Sequence, residues 1–232
     1  MTDWQVEHGK VIKSFLTFLN QKSNGFILKG GTSLLMCYGL DRFSEDIDLD
    51  GIQKNIEDIV RGFCNAYQYS YRVAKDTNTV KRYMINYGNV QKPLKVEVSY
   101  RKKEIKNSEI ERINGINVYN INTLCMMKAS AYTSRDKIRD LYDICFICNN
   151  YFDVLEPQTK AFLQNAVEYK GIEQFDYILS QQKDELIDEK KLAESFLQMF
   201  DKLNLLYDDG EKKIIEDIKA TEKKKSSTGR KL

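Results

Sequence analysis

The sequence predicts an α+β fold: a mixed sheet with helices over residues 1–120, a helical bundle over 121–222, and a basic tail over 223–232. Three observations carry that division. Runs with period-two alternation, rich in Ile, Val and Tyr, fall before residue 120. Apolar residues recur at three- and four-residue spacing after it. Turn signals are frequent in the first part and sparse in the second.

Taken in order, residues 4–22 read as an amphipathic helix, with Trp4, Val6, Val11, Ile12, Phe15, Phe18 and Leu19 at helical spacings. Gly25 ends it, and Phe26-Ile27-Leu28 begins a short strand that runs into Gly30-Gly31. Residues 32–38 form a short helix closed by Gly39. Ile47 and Leu49 alternate with Asp46, Asp48 and Asp50, the signature of a strand. A helix over 54–66 follows, then β-prone, Tyr-rich segments near 68–75 and 80–88. Leu94, Val96, Val98 and Tyr100 alternate in a further strand. Asn122 or Thr123 is suited to cap a helix reaching about Thr133, and another spans about 136–149. Helical patterns continue near 157–170, 172–182, 188–206 and 211–224. Pro93 and Pro157 each sit near an element start, and no internal repeat is present.

Composition narrows the class. With 232 residues, 30% of them charged and 42% hydrophobic, the chain is an ordinary globular protein. No stretch approaches the roughly 20 apolar residues of a membrane span, and no signal-peptide pattern opens the chain, so a cytoplasmic location is expected. Five cysteines at irregular spacing make no disulfide framework. Cys145 and Cys148 form a lone CxxC inside an apolar helical run, where buried small hydrophobes are expected and redox or metal work is the alternative. The net charge of +2 hides basic clusters at Arg101-Lys102-Lys103, around Arg135, Lys137 and Arg139, and in the tail. That layout permits a nucleic-acid partner without demanding one.

The chemistry concentrates in Lys29-Gly30-Gly31-Thr32-Ser33 and Ser44-Glu45-Asp46-Ile47-Asp48. Strand alternation points Asp46 and Asp48 to one face. Two carboxylates so close repel unless a hard cation lies between them, and Mg²⁺ (or Mn²⁺) typically uses one or two carboxylates plus substrate phosphates. The glycines let backbone N–H groups approach a phosphate at a helix start, and the Ser33 hydroxyl is a further candidate donor. Glu97, on the strand Lys95-Val96-Glu97-Val98-Ser99, is a candidate third metal ligand, whereas Asp50 is expected beyond metal reach. Three carboxylates on neighbouring strands would suit a two-metal phosphoryl-group transfer. The bland readings are a simple turn, a solvent-facing strand and a surface glutamate. No GxxxxGK[ST], no kinase HRD or DFG and only one histidine, His8, argue against other nucleotide enzymes.

Gly-Gly, a short helix and Asp-x-Asp in that order resemble the signature of the DNA polymerase β-like nucleotidyltransferases. The fuller string LKGGTSLLMCYGLDRFSEDIDLD, with Arg42-Phe43-Ser44 before the acidic pair, resembles the AbiEii/AbiGii toxin family of bacterial abortive-infection and toxin–antitoxin systems. A second block, Lys128-Ala129-Ser130-Ala131 followed by Arg135 to Ile144, is similar to that family's helical motif. The resemblance implies a nucleotidyltransferase-like front domain. By that resemblance Lys128 would contact the triphosphate and Asp143 would be a partnering acid of the active site. With the residue reading above, the candidates are Gly30, Gly31, Thr32, Ser33 and Lys128 for nucleotide binding, Asp46, Asp48, Lys128 and Asp143 for catalysis, and Asp46, Asp48 and Glu97 for metal. A compact Lys charge suits phosphate oxygens, and Arg135 and Arg139, four apart, are further candidates for phosphate or RNA contact. Arg139 and Lys137 equally suit plain pairing with Asp140 or Asp143.

The function so implied is Mg²⁺-dependent transfer of a nucleoside monophosphate from a nucleoside triphosphate to RNA, the tRNA 3′ end being suggested by the family, with pyrophosphate released. Asp143 or Glu97 would assist proton removal, and a cognate antitoxin protein would be a partner. The alternatives are nucleotidylation of a small molecule or a protein, and nucleotide binding without transfer. The nucleotide site is expected between the two parts, where Asp46 and Asp48 meet Lys128 and Asp143.

Overall fold

The computed structural model describes residues 2–88 and 92–206. Its centre is one seven-stranded mixed sheet, and each strand follows from the alternation in its residues. The strands are β1 (Phe26–Lys29), β2 (Ile47–Gly51), β3 (Ser70–Asp76), β4 (Val80–Asn86), β5 (Leu94–Ser99), β6 (Ile110–Ile113) and β7 (Ile116–Tyr119). Their order across the sheet is β3-β4-β5-β2-β1-β7-β6. Central β2 runs parallel to β5, with Asp48 beside Glu97, and antiparallel to β1, with Asp48 beside Lys29.

Alternation divides the sheet into a dry and a wet face. Ile47, Leu49, Leu94, Val96 and Val98 are buried among Ile12, Phe15 and Leu19 of α1 (Asp3–Lys22) and Val60 and Phe63 of α3 (Ile56–Tyr67). The intervening residues Asp48, Lys95, Glu97 and Ser99 line a cleft on the other face. The short helix α2 (Gly30–Tyr38) starts directly at the end of β1.

The helical part begins at residue 121. Helices α4 (Ile121–Ser134), α5 (Ile138–Tyr151), α6 (Pro157–Lys170), α7 (Gln174–Gln181) and α8 (Glu189–Lys202) pack as α4 on α5 and α6, and α5 on α8. A single apolar core runs from the sheet into this bundle. Cys145 and Cys148 lie buried in it as free thiols, and burial pushes Cys148 up to about 12, so both act as small hydrophobes. Two details depart from expectation. The α4 cap is Asn120, whose side chain accepts the Thr123 N–H at 2.9 Å, rather than Asn122 or Thr123. The β6–β7 hairpin was not anticipated, although Asn114 and Gly115, both at positive φ, form the two-residue turn between them. The helix expected at 211–224 and the tail lie outside the described residues.

Candidate active site

Among the described residues, every carboxylate of the β2–β5 row has a side-chain partner except one. Asp46, just before β2, meets the Lys95 ammonium at 2.5 Å. Glu97 on β5 is engaged by Arg82 of β4, at 2.5 and 2.6 Å. Asp50 is buried, paired with Lys29 at 2.5 Å and accepting the Tyr119 hydroxyl at 2.8 Å. Asp50 borders the cleft, but these two contacts occupy its carboxylate. Asp48 has neither an ion pair nor a hydrogen bond to its side chain among the described residues. Burial raises its carboxyl pKa, Lys95 opposes the rise, and Asp46 and Glu97 add to it. A half-buried carboxylate without a side-chain partner, facing a cleft, is a candidate position for an external cation.

The glycine turn lies against that carboxylate. Gly30 has φ +76°, and a Cβ there would stand 3.0 Å from Asp48 Oδ2. The backbone conformation therefore favours glycine, and the space beside Asp48 is tight. At Gly31 a Cβ would meet Arg42 Nη2 at 2.8 Å and Ser44 Oγ at 2.9 Å. The hydroxyls beside them do not face the cleft as anticipated. Ser33 Oγ donates to the Gly30 carbonyl at 2.7 Å, and Thr32 Oγ1 donates to the Asp46 carbonyl while sharing a hydroxyl–hydroxyl hydrogen bond with Ser44 Oγ at 2.9 Å. Both side chains are buried, so Thr32 and Ser33 shape the turn, and Thr32 ties it to the backbone of Asp46.

Lys128 enters from α4. Its ammonium lies 2.6 Å from Asp143 Oδ2 and 3.6 Å from Asp140 Oδ1. Asp143, fully buried on α5, accepts a hydrogen bond on Oδ1 from Arg42 Nε at 2.8 Å, with Arg42 Nη2 at 2.6 Å from the same oxygen, so Lys128 and Arg42 pair with its two oxygens separately. Arg42 in turn packs under Gly31 and donates to the Phe43 carbonyl. One carboxylate thus holds a lysine of the helical part and an arginine of the loop that precedes the acidic strand. Asp143 lines neither lobe of the cleft, so its geometry is that of a positioning residue rather than a proton acceptor for substrate. Arg135 grips Asp140 through two contacts, 2.7 and 3.2 Å, and Arg139 grips Asp184 through two more, 2.5 and 3.3 Å.

The cleft between sheet and bundle has two lobes. One, about 570 Å³, is lined by Gly30, Asp48, Arg82, Glu97 and the α4 residues Leu124, Met127, Lys128 and Ala131, with Arg101 and Lys102 at its rim. The other, about 430 Å³, is lined by Gly31, Asp46, Arg42, Arg139 and Asp184. Asp48, Lys95, Lys128, Arg135 and Asp140 border both. The structure therefore brings Asp46, Asp48, Gly30, Gly31 and Lys128 to one cleft. Glu97 borders it but is turned to Arg82. Among the described residues no three acidic, histidine or cysteine side chains converge as a metal cage. Sequence reasoning missed Lys95 and Arg82 as partners of the acids. Lys95 stood two residues before Glu97 on the same strand face, which was the available signal.

Comparisons with known proteins agree with this layout. A family model described as "Nucleotidyl transferase AbiEii toxin, Type IV TA system" matches residues 17–221. The crystal structure of JHP933 from Helicobacter pylori has a TM-score of 0.73 at 25% identity, covering 96% of this chain and 99% of that one. A second Helicobacter pylori crystal structure, of a protein provisionally assigned as a nucleotidyltransferase, gives 0.71 at 26% identity, with 90% and 100% covered. No curated protein matches the chain. With most of its length matched, this chain belongs to the AbiEii nucleotidyltransferase toxin family of type IV toxin–antitoxin systems.

Proposed function

We propose that this nucleotidyltransferase moves a nucleoside monophosphate from a nucleoside triphosphate to an RNA hydroxyl, the tRNA 3′ end being the acceptor suggested by the family. The observation that carries the proposal is the unpartnered Asp48 carboxylate, set against the Gly30 turn and sharing a cleft with Lys128. Asp46 and Asp48 offer hard oxygen donors and too few of them for a closed cage, which suits Mg²⁺ completed by phosphate oxygens. When bound there, the ion would neutralise phosphate charge and act as a Lewis acid.

The chain's own residues supply the rest. The Gly30-Gly31 backbone admits a phosphate at the start of α2. Lys128, held by Asp143, presents a fixed cation to the triphosphate. Leu124, Met127 and Ala131 give an apolar wall for the nucleoside. In-line attack by the ribose hydroxyl on the α-phosphorus forms the new P–O bond as the bond to pyrophosphate breaks. Glu97 borders the same lobe, and both Arg82 contacts fall on its Oε2, so Oε1 is the oxygen that takes up the hydroxyl proton.

Arg82, Arg101 and Lys102 on that lobe favour a polyanionic acceptor. A cationic small molecule would meet the same charges as repulsion. Family membership further suggests growth arrest on expression, relieved by a cognate antitoxin. The test incubates purified protein with each α-labelled nucleoside triphosphate and total tRNA. Label on RNA with wild type and none with Asp46→Ala is the expected result. Label absent with all four nucleotides, from folded protein, overturns the proposal. Label on an added protein or aminoglycoside instead of RNA overturns the acceptor alone.

A further inference from the structure

Lys95 is the one cation touching the Asp46 carboxylate among the described residues, and it reaches across from β5 into both lobes of the cleft. The parallel register places Val96 beside Ile47, so Lys95 projects level with Asp46 on the wet face. Resting on the two-carboxylate reading above, we propose that Lys95 is a built-in counter-ion. It occupies the cation position in the empty protein and passes to the phosphates when nucleotide and divalent ion arrive together.

The argument is one of charge and reach. The other acids of this row have fixed partners, Asp50 in a buried pair locked by Tyr119 and Glu97 held by Arg82. Asp48 has no partner of its own among the described residues and relies on the field of Lys95. A divalent ion bridging Asp46 and Asp48 would stand beside the Lys95 ammonium, and two cations at contact distance repel strongly unless an anion lies between them. A triphosphate is such an anion. The lysine side chain is 27% exposed and its flexible stem lets the ammonium move without disturbing the strand. Divalent ion without nucleotide must therefore displace Lys95 with nothing to receive it, whereas ion with nucleotide offers phosphate oxygens in exchange. Lys95 couples the two binding events.

The coupling is read as Mn²⁺ binding, with free Mn²⁺ followed by electron paramagnetic resonance, with and without a non-hydrolysable triphosphate analogue. Wild type is expected to bind Mn²⁺ roughly tenfold or more tightly with the analogue present. Lys95→Met should bind Mn²⁺ alone roughly tenfold more tightly than wild type and lose most of the enhancement. Lys95→Arg should keep it. Lys95→Gln serves as a second variant, and thermal melting confirms that each is folded. If both Lys95→Met and Lys95→Gln bind Mn²⁺ alone no more tightly than wild type, while Asp48→Ala abolishes binding, the role of Lys95 is overturned and the carboxylate site stands. If wild type binds no Mn²⁺ that Asp48→Ala removes, the carboxylate site falls and this inference with it.

Discussion

Replacing Asp143 with alanine leaves two cations, Arg42 at 3% and Lys128 at 11% side-chain exposure, around the space their shared carboxylate filled. Removing one member of a buried ion network costs about 3–5 kcal/mol, because the remaining charges stay desolvated. For a chain of this size that corresponds to a fall in Tm of roughly 6–20 °C. Lys128→Met is the informative contrast. It leaves Asp143 paired with Arg42 at 2.8 and 2.6 Å. Its stability loss should stay below that of Asp143→Ala, near the cost of leaving one buried carboxylate oxygen without a counter-charge, about 1–3 kcal/mol, while nucleotide transfer disappears. The assay is a pair of measurements on each variant, a urea or thermal unfolding curve and the label-transfer rate at a temperature where both are folded. An Asp143→Ala protein that melts within a few degrees of wild type but transfers no label would refute the reasoning, because Asp143 would then act on the reacting groups directly.

Three further outcomes follow from the same geometry. Burial raises the Asp48 carboxyl pKa above its ordinary 3.8, so the folded protein holds that proton better than the unfolded chain and stability falls as pH rises through this interval. Asp48→Asn should accordingly melt higher than wild type without metal at neutral pH, lose that advantage below pH 3.8, and show transfer reduced by about 10³-fold or more; a lower neutral-pH Tm contradicts the burial argument. The His8 imidazole is pushed below its ordinary 6.5 by burial, with Nε2 2.7 Å from the Glu45 carbonyl opposing. The unfolded chain therefore gains a proton below that value while the folded one resists, so Tm should fall between pH 7 and pH 5.5, by up to about 1.4 kcal/mol per pH unit in stability, and His8→Gln should flatten the dependence. Arg101→Ala with Lys102→Ala should weaken RNA binding and lower the salt slope by about 0.7–0.9 for each phosphate no longer neutralised, read by fluorescence anisotropy.

Local signals carried much of the fold into the sequence. The α1 apolar stripe and the alternation in β2 and β5 identify those elements, because each is fixed by the burial of one face of a local segment. The order in which strands pair is non-local, and nothing in β2 itself specifies β5 on one side and β1 on the other. The β6–β7 hairpin was legible in principle at Asn114-Gly115, but its strands are only four residues each, and the Glu-Arg pair in β6 breaks the period-two alternation. At the site, Gly30, Asp46, Asp48 and Lys128 stood in recognisable strings. Arg42 and Asp143 stood in such strings too, but their pairing did not show, since they are separated by 101 positions. Thr32 and Ser33 show the opposite case: they stand in the expected turn, but their hydroxyls are consumed by it instead of facing the cleft.

The central claim is that Asp46 and Asp48 together hold one divalent ion against incoming phosphates. Crystals grown with Mn²⁺ and a non-hydrolysable nucleoside triphosphate, measured at a wavelength where manganese scatters anomalously, test it directly. A strong anomalous peak about 2.1 Å from an oxygen of each carboxylate, with a phosphate oxygen in the same shell and Lys128 on the triphosphate, is the predicted result. Nucleotide bound with the peak away from that pair, or with Lys95 still on Asp46 and no ion between the carboxylates, would contradict it.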